Sequence, residues 1–186
     1  SDLSGLIVKN NILLIITTSV FIGIVSCIII LSEIEESKPD YRITVTNSNL
    51  INSSTFEFDI LILAVDESFE LTAYQCALLV WERLNDNDTL HFSYIPGSSE
   101  LSIIPQTGIQ IDRSDELPKI TFASLPGTEV ITTSTKKIGR FRLERLNGFS
   151  SSPMLEWSFS GQLSTIITGK YFNDITVNSQ LIVTGE

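Results

Sequence analysis

Histidine is almost missing from the 186 residues: His91 stands alone, beside two cysteines, a single methionine and six prolines. One imidazole cannot build a two-histidine metal site, and no spacing of Cys and His fits zinc. A serine triad would have to use His91, but the run Leu90-His91-Phe92-Ser93-Tyr94 offers no nucleophile elbow, so an ordinary strand histidine is the favoured reading. No glycine-rich phosphate loop is present. Basic residues are scarce, 12 against 22 acidic, for a net charge of −10. That sign repels phosphate backbones and argues against nucleic acid as a partner. Of the cysteines, Cys27 lies in an apolar run and Cys76 in a strand-like run; no disulfide is expected, and a domain of this size can do without one. Cys76 reads as a small buried hydrophobe.

What the chain does have is one long uncharged stretch, Asn10 to Ser32, mostly Ile, Leu and Val. It is long enough to cross a bilayer as a helix. Lys9 precedes it and Glu33, Glu35 and Glu36 follow, so the positive flank is expected to stay inside and the remainder to be exported. Residues 1–32 therefore read as a signal peptide or membrane-anchor helix. No clean small-x-small cleavage site follows; Ile24-Val25-Ser26-Cys27 has the form of a lipobox in which Cys27 would be acylated, against the simpler reading of a membrane-helix cysteine. Residues 33–40, EIEESKPD, form an acidic connector that Pro39 closes against helix.

From Tyr41 to Glu186 the pattern changes to short runs rich in Val, Ile, Thr, Phe and Tyr, separated by Asn, Asp, Gly, Ser and Pro, as in all-β domains. Strands are expected at Tyr41 to Thr46, Thr55 to Val65, Leu71 to Glu82, Thr89 to Ile95, Glu100 to Ile104, Lys119 to Ala123, Ile138 to Leu146, Met154 to Ser160 and Leu181 to Thr184, with weaker signals at Thr128 to Thr133 and Ile166 to Phe172. In Phe56-Glu57-Phe58-Asp59-Ile60 and Arg140-Phe141-Arg142-Leu143-Glu144 apolar and charged side chains alternate, as in strands with one wet face. Cys76 to Trp81 is apolar throughout and reads as a central strand. About nine short strands at this spacing predict a two-sheet β-sandwich.

Several of these runs, taken in order, resemble cohesin-like domains of exported bacterial surface proteins: Ser54 to Ile60, Phe69-Glu70-Leu71 with Tyr74-Gln75, Ile95 to Leu101, Ile138 to Leu143, and Ser152-Pro153 with Leu155 to Phe159. The resemblance covers most of Tyr41 to Thr184. It implies a jelly-roll β-sandwich used for binding or surface architecture rather than catalysis. It assigns no binding residues, because fold does not fix function.

No catalytic, cofactor-binding or metal-ligating residue is singled out. The acidic loops Asn85-Asp86-Asn87-Asp88 and Asp112-Arg113-Ser114-Asp115-Glu116 are rich in oxygen ligands, but the first lacks the glycine and distal glutamate of an EF-hand loop, and solvated turns are favoured over calcium sites. Nothing picks out a carboxylate pair for glycoside hydrolysis. Trp81, Trp157, Tyr74, Tyr94 and Tyr171 could stack on sugars if they faced outward together, yet core packing is favoured. Asn52-Ser53-Ser54 and Asn87-Asp88-Thr89 fit the N-glycosylation pattern.

The expected function is a non-enzymatic module at the cell surface that binds a surface protein or glycan, attached to the membrane if the apolar helix is retained. The competing reading is a self-assembling filament subunit, laid out like type IV pilins and archaeal flagellins. Against it, Gly5 stands where bacterial type IV pilins carry glutamate, and Lys9 interrupts the would-be core helix.

Overall fold

The computed structural model describes residues 38–82, 88–176 and 179–183, all within the compact unit Lys38–Glu186. The expectations for the apolar segment, Cys27 and most of the acidic connector lie outside these residues. Among the described residues no helix is long and apolar enough to cross a membrane.

Among the described residues eleven strands form two sheets: β1 (Tyr41–Asn52), β2 (Thr55–Ala64), β3 (Phe69–Trp81), β4 (Leu90–Tyr94), β5 (Pro105–Asp112), β6 (Lys119–Ser124), β7 (Glu129–Ile131), β8 (Lys136–Arg145), β9 (Met154–Trp157), β10 (Ile166–Gly169) and β11 (Ser179–Val183). The first sheet runs β11-β1-β2-β8-β4, and the second runs β10-β3-β6-β5 with β7 and β9 also paired to β3. The all-β, two-sheet expectation holds. The strand count exceeds nine because both lanes beside β3 are broken. On one edge β6 pairs with Gln75 to Leu79 and β7 with Phe69 to Leu71; on the other β10 reaches from Leu71 to Gln75 and β9 from Leu78 to Trp81.

Each break keeps the β3 backbone satisfied by other means. Between β6 and β7 the chain passes Pro126, which has no N–H to give, and Gly127 N donates to Thr72 O instead. Between β9 and β10, Ser158 N donates to Ala77 O, and Ala77 N donates to Thr165 Oγ1.

The core follows the alternation read from the sequence. Phe56, Phe58, Ile60 and Ile62 of β2 face inward, as do Phe141 and Leu143 of β8, all fully buried. Facing them from the second sheet are Tyr74, Cys76, Leu78, Ile120 and Phe122. The sheets meet at Phe122 and Phe141, whose ring centroids lie 4.1 Å apart, and Phe58 and Phe92 stack on Phe141 at 5.7 and 5.6 Å. Burying one such ring contributes about 2–3 kcal/mol, so this cluster alone ties the sheets together strongly. Of the run Cys76 to Trp81, expected to be central and covered on both sides, the central part holds and the cover holds only in part: β3 is paired along both edges and Cys76, Ala77, Leu78 and Val80 are buried, while Leu79 is half-buried and Trp81 is exposed.

One expected strand is corrected. Glu100 to Ile104 is not a strand, although Leu101 and Ile103 alternate into the core as strand residues would. Its backbone is held by side chains and an isolated backbone bond: Leu101 N donates to Ser99 Oγ, Ser102 N to Glu129 Oε2, Glu100 N to Lys137 O, and Ile103 O accepts from the Tyr74 hydroxyl. The strand starts one step later at Pro105, a residue tolerated at the first position of an edge strand. There Gly108 takes φ +59° and the register with β6 shifts twice. This bulged, mostly exposed edge has no clean period-2 signature to read.

Candidate binding site at the Trp81 end of the sandwich

Core packing was the favoured reading for the aromatic residues, and it holds for Trp157 and Tyr74, which are buried. It fails for Trp81, 48% exposed at the end of β3. The apolar run ending in Trp81 suggested burial, but strand alternation puts Val80 inside and Trp81 on the outer side. There it is paired across the strand with Met154, itself exposed. Its indole Nε1 donates to Glu156 Oε2 at 2.7 Å, which fixes the ring's orientation.

Beside Trp81 opens a cleft of about 450 Å3, with Trp81, Glu82, Arg145, Asn147, Phe149 and Ser150 on its walls. The end of β3 and the end of β8 supply both sides of it. Glu82 N donates back to Val80 O, turning the chain so that the Glu82 carboxylate points inward. Arg145, the last residue of β8, meets it through Nη1, and its Nη2 donates to Asp88 Oδ2 at 2.7 Å. Asn147 Nδ2 adds a bond to Asp88 Oδ1, and Arg113 Nη1 donates to the Asp88 carbonyl. All three charged side chains are at least nine-tenths buried. Buried charges persist only when paired and hydrogen-bonded, which is the case here. The Asp88 carboxylate raises the Arg145 guanidinium pKa against the desolvation that lowers it.

Solvated turns were the favoured reading of the acidic loops. For Asp88 this is corrected: the carboxylate is 1% exposed and anchors Arg145. Residues 85–87 of that loop, and the second glycosylation motif that begins at Asn87, lie outside the described residues. The other loop fits the expectation: Asp112 Oδ1 accepts from Ser114 N in a local turn, lowering the Asp112 pKa, and residues 113–116 are exposed. Among the described residues no cluster of three or more His, Cys, Asp and Glu is arranged to hold a metal ion.

Gly148 takes φ +77°, and an added Cβ would lie 3.0 Å from Ser53 O, so the loop after β8 makes its turn on a residue without a side chain. Phe149 N then donates to Ser53 O, placing the buried Phe149 ring against Phe56 and keeping the loop at the cleft. No motif in the sequence announces this loop as part of a site. Its one available signal was Asn147-Gly148 directly after a strand.

Elsewhere, His91 projects from the edge strand β4 with its side chain 66% exposed and meets Glu144 at 3.6 Å. Tyr94 is half-buried and packs on Phe141. Tyr171 is exposed, adopts φ +56°, and carries Lys170 Nζ 4.8 Å above its ring. Asn52 of the first glycosylation motif is exposed and accepts from Ser54 N. The structure thus does not gather the five aromatic residues on one face. Trp81 is the one that joins a concave, polar-lined cleft.

No protein-family model and no curated protein matches this sequence. Among solved structures, the domain is similar to a chain of a type II cohesin–X–dockerin complex from Acetivibrio cellulolyticus, at 13% identity and TM-score 0.46, over 78% of this chain and 97% of that one. It is also similar to the second type II cohesin module of an adaptor scaffoldin from the same organism, at 10% identity and TM-score 0.41, covering 78% and 86% of the two chains. A CBM3a-L domain of a Clostridium thermocellum scaffoldin aligns at 6% identity and TM-score 0.37, covering 70% and 82%. The second of these is a cohesin module, the kind of domain that the sequence runs resemble.

Proposed function

We propose that residues 41–186 form a non-enzymatic jelly-roll binding module, exported by the apolar segment Asn10 to Ser32 and displayed at the cell surface, with its contact site at the Trp81 cleft. The observation that carries the reading is the cleft itself: a half-exposed, orientation-fixed tryptophan beside a concave surface whose charged groups already satisfy one another. Binding sites combine an apolar wall with a few fixed polar groups in this way. Catalysis by a carboxylate pair would need one acid to give a proton. Glu82 and Asp88 instead both accept hydrogen bonds from the same guanidinium. His91 is solvent-facing on the edge strand β4, with its ring 3.6 Å from Glu144 of β8.

Two measurements on the full chain test this. Protease shaving of intact expressing cells should release peptides from residues 41–186. Incubation with polysaccharide, ester and peptide substrates should leave them chemically unchanged while one class of ligand is retained. Hydrolysis that disappears in Glu82→Gln or His91→Ala would overturn the reading.

A further inference from the structure

The cleft also indicates what kind of molecule it takes. We infer that the Trp81 cleft is a saccharide site in which a pyranose ring stacks on the indole and its hydroxyls are read by Asn147 and Ser150; this rests on the binding-module reading above.

Three observations lead there. The first is the ring. An indole held by a hydrogen bond from its own N–H to Glu156 Oε2 is a flat apolar plate that loses little freedom on binding. Sugar rings present C–H faces that lie flat on such a plate, while their hydroxyls project sideways. The second is the polar rim. Ser150 Oγ lies 3.4 Å from Glu82 Oε1, and Asn147, with its amide nitrogen on Asp88, offers its carbonyl oxygen. A hydroxyl, which both donates and accepts, and an amide oxygen, which accepts, suit a ligand carrying several O–H groups. The third is charge. Glu82 and Asp88 are met by Arg145, and Glu156 is engaged by Trp81. A lysine or arginine of a partner protein could lie on the indole, but the nearby carboxylates already have their cation or donor, so a neutral polyhydroxyl ligand fits the cleft better than a cationic one. A volume of about 450 Å3 lies within the range of small-ligand sites, in a shallow depression open to solvent.

The probe is the full chain in detergent, applied to an array of bacterial, plant and animal glycans together with lysine- and arginine-rich peptides; the best glycan is then titrated by calorimetry. At least one glycan should bind saturably. Trp81→Ala should weaken it about tenfold or more, Trp81→Phe should hold it within about threefold, and Asn147→Ala should weaken it measurably. Trp81 is half exposed, so its variants should keep the wild-type melting transition, which circular dichroism checks. Failure of every glycan to bind, or a glycan bound as tightly by Trp81→Ala, overturns the inference. Capture of a basic peptide at Trp81 in place of any glycan overturns it too, yet leaves the binding-module reading standing. Cleavage of the bound glycan would keep the saccharide in the cleft and overturn the non-enzymatic reading instead.

Discussion

Asp59 sits on the outer side of β2, yet none of its side chain meets solvent. Arg140 closes over it with bonds of 2.7 and 3.0 Å, Asn47 donates at 2.9 Å, and Lys137 Nζ lies at 3.2 Å. Burial pushes this carboxyl's pKa up, but the hydrogen bonds from Arg140, Asn47 and Lys137 outweigh it and bring it down to about 2. A carboxyl whose folded pKa lies below its unfolded value stabilises the protein above the unfolded pKa, near 4, and that stability is lost as pH falls through the folded value near 2. Asp59 is therefore expected to contribute about 2 kcal/mol at neutral pH, fading between pH 4 and 2. Urea unfolding of wild type and Asp59→Asn should show a gap of that size at pH 7 that shrinks by pH 2. A gap unchanged with pH would show that the ion pairs are not its source. The alternation Phe58-Asp59-Ile60 correctly assigned Asp59 to the outer side. It could not reveal that two cations and an amide cover it, because those partners lie 12 to 81 positions away and meet only through the pairing of β1, β2 and β8.

β8 shows how much a strand depends on what crosses it. Between Gly139 and Lys137 its register with β2 slips by one residue, and Gly139 lies under the Tyr94 ring and against Pro105. An added Cβ would stand 2.8 Å from one ring carbon of Tyr94, 3.1 Å from the next, and 3.2 Å from the proline ring. Tyr94 has little room to yield: its own ring packs on Phe141, and its hydroxyl accepts from Ser99 N. Gly139→Ala is expected to destabilise the domain by about 2 kcal/mol, a fall in melting temperature of about 4–8 °C. A neutral effect would mean that Pro105 and the loop before it shift freely. Long strands with sharp alternation were legible in the sequence, β2 to within one residue and β8 to within two at its start. β5 was not, because its exposed edge, its glycine bulge and its opening proline remove the periodic signal. The cleft was legible only in its parts. The apolar run that ends in Trp81 points it inward, and Glu82, Arg145 and Asn147 carry no mark of their joint position, since the ends of β3 and β8 come together only across the two sheets.

At the scale of the domain, β11 has a particular place: it is the last of the described strands, and it lies parallel to β1, Tyr41 opposite Ser179 through to Val45 opposite Val183. Every other strand pairing among the described residues is antiparallel. Because β1 and β11 run the same way, a pull applied through residue 40 and an opposite pull through residue 183 act along the two strands and slide one against the other. The bonds of all five registered positions then bear load together rather than opening in turn, as they would in a hairpin pulled apart from its open end. A module loaded through the chain at residues 40 and 183 would thus bear the pull in shear. Single-molecule force measurements should find a higher rupture force with handles at Asp40 and Val183 than with handles at Asp40 and Val65, which open the β1–β2 hairpin stepwise. Equal forces in the two geometries would show that the parallel pair is not the clamp.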